Sequence, residues 1–380
     1  MKSPRDSNRL RGDLAAPPTP LFIWSSAALV FLWHLTLWIL ISNRQSIDLT
    51  SIFGHLDASW YINIARTGYF SLKAFAFYPA YPALLSMFVE PLSNWIHPNI
   101  AGSIFSTILF GAFLWVLCRL LHRHSNYFPS TRLGWLLFIV FPCTYVFHTV
   151  HTESLFIVLF ALALYFFAER KYFAAAVFAG LTALTRNEGV ILAACLGAAP
   201  LYTIGFNGKP APEAFGKRLS RFLVFACVSG GIWSFYPYYQ NKHLGDPLLF
   251  LKAQSYWTAE ISPMTYLRTF WFGNPWQNTG IGSIIHHGIF IALSMSILWF
   301  WKSTKNAPLT WFLVLFMIIR PLQGELVSTL RFETVLFPLL FFVGDGLAIL
   351  KRRWQYLLIL AFLILNWQMT RAYGLQRWAY

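Results

Sequence analysis

Charge is what this chain has least of. Only 11% of its 380 residues are Asp, Glu, Lys or Arg, where a soluble domain carries about 25%. That scarcity, with a mean hydropathy of +0.53, excludes an ordinary water-soluble globule. Cysteine is also sparse. Cys118, Cys143, Cys195 and Cys227 each lie inside an apolar run with no CxxC pair, so they read as small buried hydrophobes rather than a disulfide or zinc framework. Short alternating segments are lacking, which argues against a transmembrane barrel. A glycine-rich nucleotide loop is lacking too.

What the chain has is apolar length. A hydrocarbon core about 30 Å thick needs about 20 apolar residues per spanning helix. Such runs fall at about 21–42, 100–120, 132–150, 153–168, 172–186, 189–206, 222–240, 284–301, 308–320, 329–350 and 354–370. The expected fold is therefore an all-α polytopic membrane protein with about 11 transmembrane helices, in one membrane domain over 21–380. Residues 1–20, polar and ending Pro17-Pro18-Thr19-Pro20, are expected as a disordered cytoplasmic tail. The first apolar run is too long for a signal-peptide core and reads as a retained anchor.

The basic excess, 29 Lys and Arg against 14 acids, sets topology rather than nucleic-acid binding. Positive charge clusters in short loops on one side, as membrane insertion requires. With the N-terminus cytoplasmic and 80–97 not crossing, 18 of the 29 positives fall inside. The segment 80–97 is then an interfacial or re-entrant helix with Pro82 near its start. Two long outer loops result, about 43–99 and 241–283. Nine of the 14 acids fall outside, although acids contribute little to topology. An outward polar site accounts for them.

Asp57 is the centre of that site. It stands in Gly54-His55-Leu56-Asp57-Ala58-Ser59-Trp60-Tyr61, at a membrane edge among aromatics. An Asp before Ala58–Thr67 with Gly68 behind also fits a capped interfacial helix, and a capping carboxylate at a helix start is still available as a base. His55 is placed to tune it. Arg66 lies two and a half turns on, too far to pair with Asp57 along one helix. Tyr78 and Tyr81, within Phe77-Tyr78-Pro79-Ala80-Tyr81-Pro82, read as aromatic anchors or as a wall for a lipid or sugar. His148 and His151 are three apart and Glu153 opens the next helix, which leaves a divalent cation open as a ligand beside ordinary helix-dipole chemistry. Arg186, Arg320 and Arg331 sit at apolar boundaries, either in local salt bridges or as bidentate phosphate ligands.

At these residues the chain resembles the GPI mannosyltransferase 2 (PIG-V type) family, including its bacterial members. The first loop is similar to the motif W-D-A-x-W-Y-x-x-I-A-x-x-G-Y, and Phe77–Pro82 to F-F-P-L-Y-P. Thr152–Phe156, Gly180–Arg186, Gly245–Leu248 with Ala253-Gln254, and Ser328–Arg331 leading to Phe337-Pro338-Leu339 continue the resemblance in order over about 50–345. The chain departs from the family at Leu56, where the family has Trp, and at Asn187-Glu188, where it has Pro-Thr.

The resemblance implies the GT-C glycosyltransferase fold and an inverting mannosyltransferase. Its donor would be a polyprenyl- or dolichyl-phosphate sugar. Its acceptor would be a glycan, glycolipid or protein hydroxyl at the outer or lumenal face, in a bacterial cytoplasmic membrane rather than the endoplasmic reticulum. Asp57 would be the catalytic base. His55, Tyr61, Arg66, Tyr78, Tyr81, His151, Glu153, Arg186, Arg320 and Arg331 would bind substrate. A transporter or flippase of lipid-linked sugars is the alternative. It would show paired, broken helices, and none is legible in the sequence. A catalytically dead homologue is a third reading, against which the presence of Asp57 argues.

Overall fold

The computed structural model describes residues 13–124, 128, 130–201, 214–257, 280–319 and 329–377. The chain is all-helical, 81% helix, with no strand among the described residues. Three of those helices are each long and apolar enough to cross a membrane: α1 (Pro20–Gln45), α5 (Pro98–Arg123) and α10 (Phe215–Leu244). At 1.5 Å per residue, 26 residues reach about 39 Å, which exceeds the bilayer core. This length and composition mark a membrane protein.

Between α1 and α5 the chain folds as short helices: α2 (Leu49–Phe53), α3 (Asp57–Thr67) and α4 (Ala80–Val89), with 3₁₀ turns at Leu72–Ala76 and Glu90–Leu92. Helix therefore begins at Ala80, with Pro82 in its first turn, where a missing N–H costs nothing.

After α5 come α6 (Arg132–Ile139), a 3₁₀ turn at Thr144–His148, α7 (Glu153–Ala168), α8 (Tyr172–Ala183) and α9 (Asn187–Ala198). Beyond α10 lie α11 (Leu249–Gln254), α12 (Gly280–Thr304), α13 (Ala307–Ile319), α14 (Thr329–Glu333), α15 (Phe337–Leu347) and α16 (Arg352–Gly374).

Two of the expected continuous spans, 132–150 and 329–350, are interrupted. The first stops at Ile139, three residues before Pro142, which cannot donate a helical hydrogen bond. A break in an apolar interior frees backbone carbonyls that need donors. The Thr144 hydroxyl donates to Ile139 O at 3.0 Å, and the Asn366 amide to Phe141 O at 2.9 Å. The second stops at Glu333 and resumes at Phe337, with Pro338 in the new first turn. The half-length helices α6 and α15 pack on each other at Gly134 and Gly344. A Cβ on Gly134 would sit 2.7 Å from Phe341 O, and one on Gly344 would overlap the Gly134 backbone. Only glycine permits this approach.

The expected tail is ordered from Asp13. Residues Asp13–Ala15 form a 3₁₀ turn, and Leu14 is buried against Leu133, Leu137 and Ala348. The Arg132 N–H donates to Ala16 O at 2.8 Å, tying this segment to the start of α6. A buried leucine and a paired backbone give these residues a reason to order; residues 1–12 lie outside the described set.

Contacts sort the helix ends into two groups. At one end Leu14 meets α6 and α15, and the Thr131 N–H donates to Asp345 Oδ1 at 2.5 Å. At the other end, the close of α1 meets the close of α16. Trp38 Nε1 donates to Thr370 O at 3.3 Å, and Gln376 Nε2 donates to Ser51 Oγ at 2.6 Å. The start of α5 belongs to this second end, since Ser103 Oγ donates to His148 O at 2.5 Å. The core between is a continuous aromatic cluster around Phe110, Phe113, Phe138, Phe147 and Phe337.

Candidate functional site

The second end carries a chain of alternating charges. Asp57 opens α3, with Leu56 rather than Asp57 as its capping residue. Leu56 has φ 56° and ψ −127°, a conformation that costs a residue with a Cβ about 1–3 kcal/mol. The expectation that Asp57 caps its helix is thus corrected. Its carboxylate turns instead to Arg331, whose Nη1 donates to Asp57 Oδ2 at 2.5 Å. The helix ends as expected, with Gly68 at φ 75° and its N–H on Ile64 O at 2.9 Å.

Arg331 lies in α14, and its other edge faces inward. Its Nε donates to Glu153 Oε1 at 2.5 Å, and its Nη2 reaches Glu153 Oε2 at 3.5 Å. Glu153 opens α7 and is wholly buried. Arg186 Nη1 shares Glu153 Oε1 at 2.6 Å, and Arg186 Nε donates to Glu188 Oε2 at 3.3 Å. The order is Asp57, Arg331, Glu153, Arg186, Glu188: carboxylate and guanidinium in strict alternation.

Exposure grades along it. Side-chain exposure is 34% at Asp57, 3% at Arg331, 0% at Glu153 and 7% at Arg186. Burying four of these five charges is costly unless each is paired and hydrogen-bonded, and here each named group has an opposite partner. The guanidinium of Arg186 also lies 4.4 Å from the Phe332 ring centroid, a desolvated cation–π contact. Gly189 makes room for this corner, because a Cβ there would overlap the Thr182 carbonyl at the end of α8. That close approach turns Arg186 into the core.

Around the relay stand aromatics. Tyr61 is buried, with its ring centroid 5.1 Å from Phe77 and 5.2 Å from Tyr81. Burial, then the charge of Asp57, holds its hydroxyl above the ordinary range, so it stays protonated. Tyr81 OH pairs with Ser106 Oγ at 2.7 Å, and Tyr78 OH donates to Asn187 Oδ1. Both tyrosines are buried. His151 is buried, with Nδ1 2.7 Å from Thr149 Oγ1 and its ring against Tyr373. Burial, with Arg331 adding to it, pushes its imidazole well below the ordinary value.

Other expected residues stand elsewhere. His55 turns its ring to Tyr373, with centroids 5.5 Å apart, instead of bonding Asp57. Arg66 is exposed in the last turn of α3 and does not join the relay. Arg320 lies outside the described residues. His148 lies with Thr107, His34 and Phe110, apart from His151. Among the described residues no group of three His, Cys, Asp or Glu is gathered for a metal. The carboxylates at the site are engaged by arginine, so these residues do not fit a divalent cation.

The end of α10 and the second expected outer loop reach the first. Tyr236 OH donates to Phe75 O at 2.8 Å, Gln254 Nε2 to Ala76 O at 3.1 Å, and Trp257 Nε1 to Lys73 O at 3.3 Å. Trp257 also meets Trp60 edge-on, with centroids 5.1 Å apart. Glu188 and Asn187 are site residues that the sequence reading did not select. Their signal was adjacency to Arg186 at an apolar boundary. No protein-family model matches this chain, and no curated protein matches it.

Proposed function

We propose that the protein is an inverting, membrane-embedded glycosyltransferase of GT-C type. Its substrate would be a polyprenyl- or dolichyl-phosphate sugar, most simply mannose. The observation that carries this reading is the one-third-exposed carboxylate of Asp57, fixed by a buried arginine at one end of an apolar bundle. A base must lie within hydrogen-bond reach of the hydroxyl it deprotonates. An apolar bundle accommodates an isoprenoid and is a poor site for a soluble nucleotide sugar.

In this mechanism Asp57 takes the proton of the acceptor hydroxyl. The oxygen attacks the anomeric carbon from the face opposite the phosphate, and the bond to the lipid phosphate breaks with its electron pair. Negative charge grows on the leaving phosphate, where a guanidinium stabilises it. Among the described residues Arg331 is the cation paired with Asp57, and Glu153 fixes its plane. About 11 crossings and an active site on the outer or lumenal face, in a bacterial cytoplasmic membrane, complete the proposal. The interrupted segments would serve as partial crossings.

One observation favours transport of lipid-linked sugars as a second reading. The two broken segments pack together at Gly134 and Gly344, and interrupted helices are a transporter feature. The test is incubation of the purified protein in lipid with radiolabelled polyprenyl-phosphate mannose and a membrane glycan extract, beside Asp57→Asn. Label on an acceptor with wild type alone supports transfer. Movement of intact donor across the bilayer with no label transferred supports transport.

A further inference from the structure

Arg331 joins two unlike carboxylates. Its Nε is fixed by Glu153, which water does not reach. Its Nη1 is held by Asp57, which is 34% exposed. A guanidinium presents several donors in one rigid plane and binds carboxylate and phosphate by the same geometry. One edge of Arg331 is therefore anchored and the other faces an exchangeable anion. Arg186 differs. Glu153 and Glu188 hold it from two sides, and Phe332 covers its face. Its place in the relay is to position Glu153.

The charges give the exchange a direction. The five relay groups carry three negative and two positive charges, so an incoming phosphate meets a net negative cluster. Within the relay it gains a cation only where a carboxylate yields one, and Asp57 is the relay's most exposed member.

We propose that Arg331 is a latch whose Nη1 edge exchanges Asp57 for the phosphate of a prenyl phosphate, with Glu153 as the fixed pivot. The exchange rests on the glycosyltransferase reading for its purpose, not for its geometry. In the structure Arg331 engages the Asp57 carboxylate. When phosphate takes that edge, the carboxylate is released toward an acceptor hydroxyl. Asp57, already released from Arg331, takes the acceptor proton. The departing phosphate gains the electron pair of the broken carbon–oxygen bond, and Arg331 stays with it. Base release and leaving-group binding are thus one movement.

The consequence runs against intuition: removing the base tightens binding. The test is equilibrium binding of farnesyl phosphate to the full chain in lipid nanodiscs, with inorganic phosphate and uncharged farnesol as parallel probes. Asp57→Asn and Asp57→Ser should each bind farnesyl phosphate about tenfold more tightly than wild type. Arg331→Lys should bind it about tenfold more weakly, and farnesol should not respond in any variant. Tightening with inorganic phosphate as well supports the latch and assigns the subsite to phosphate alone. Tightening with farnesyl phosphate alone supports it and ties the subsite to the lipid. Unchanged or weaker binding in both Asp57 variants overturns it, as does an equal response to farnesol. Failure of the transferase reading is separately visible as a latch that responds while no sugar is ever transferred.

Discussion

The two ends of the bundle handle charge in opposite ways. At the Leu14 end Arg352 pairs with Asp13 at 3.3 Å, with side-chain exposures of 59% and 78%. At the Asp57 end Arg331 and Arg186 converge on a glutamate with no exposure at all. Exposed pairs contribute about 0–1 kcal/mol. Buried pairs are often no better than well-packed apolar residues, yet breaking one costs about 3–5 kcal/mol. The Asp13 pair is therefore incidental to stability. The relay is vulnerable to damage without being needed for cohesion in so apolar a core. Its cost is understandable if it holds Asp57 and Arg331 in a working geometry.

The largest predicted effect comes from the middle of the relay. Glu153→Ala leaves two buried guanidiniums without their shared partner, and should lower unfolding free energy by about 3–5 kcal/mol. Thermal unfolding in detergent measures this. A loss within about 1 kcal/mol would mean that water already reaches Glu153.

Gly344→Val comes next. It forces a side chain into the Gly134 backbone and should cost about 1–3 kcal/mol by overpacking. The same assay reads it, and an undisturbed melting temperature would show that α6 and α15 do not pack as described.

The third prediction concerns pH at the Asp57 end. Burial lowers the His55 pKa from its ordinary 6.5. The neutral imidazole is thus favoured in the folded chain, so this stability is fully present above pH 6.5 and is lost as pH falls through the depressed value. Melting temperature should decline below pH 6.5, and His55→Gln should flatten that part of the profile. An unchanged slope in the variant would assign the effect to another group.

The smallest effect lies at the other end. Asp13→Asn should shift stability by less than about 1 kcal/mol; a larger loss would erase the contrast between the ends.

Much of this arrangement was legible in the sequence, and the exceptions share a cause. Helix type followed from apolar run length, and the end of α3 from Gly68. Asp57, Glu153, Arg186 and Arg331 stood out because charge is rare here and each sits at a boundary. Which charge meets which depends on segments far apart in the chain, such as Asp57 and Arg331, and no local pattern encodes that. The breaks within 132–150 and 329–350 were hidden for a similar reason. Pro142 and Pro338 were visible, but the donors that make a break tolerable, Thr144 and Asn366, reveal themselves only in the fold. Leu56 gave no sign of its positive φ, since leucine is a residue for which that conformation is not expected. His55 was read as tuning Asp57, and a turn at Leu56 aims its ring at Tyr373 instead; Arg66 stands away from Asp57, as its spacing along α3 implied.

The most direct test measures transfer and stability together in Asp57→Asn. Asp57 is the exposed end of the relay, so its loss should leave the melting temperature within a few degrees of wild type. A positioned base contributes about 10²–10⁴-fold, so sugar transfer from polyprenyl-phosphate mannose should fall by that factor. A folded variant that transfers at the wild-type rate would contradict the account, as would a loss of transfer that merely follows unfolding.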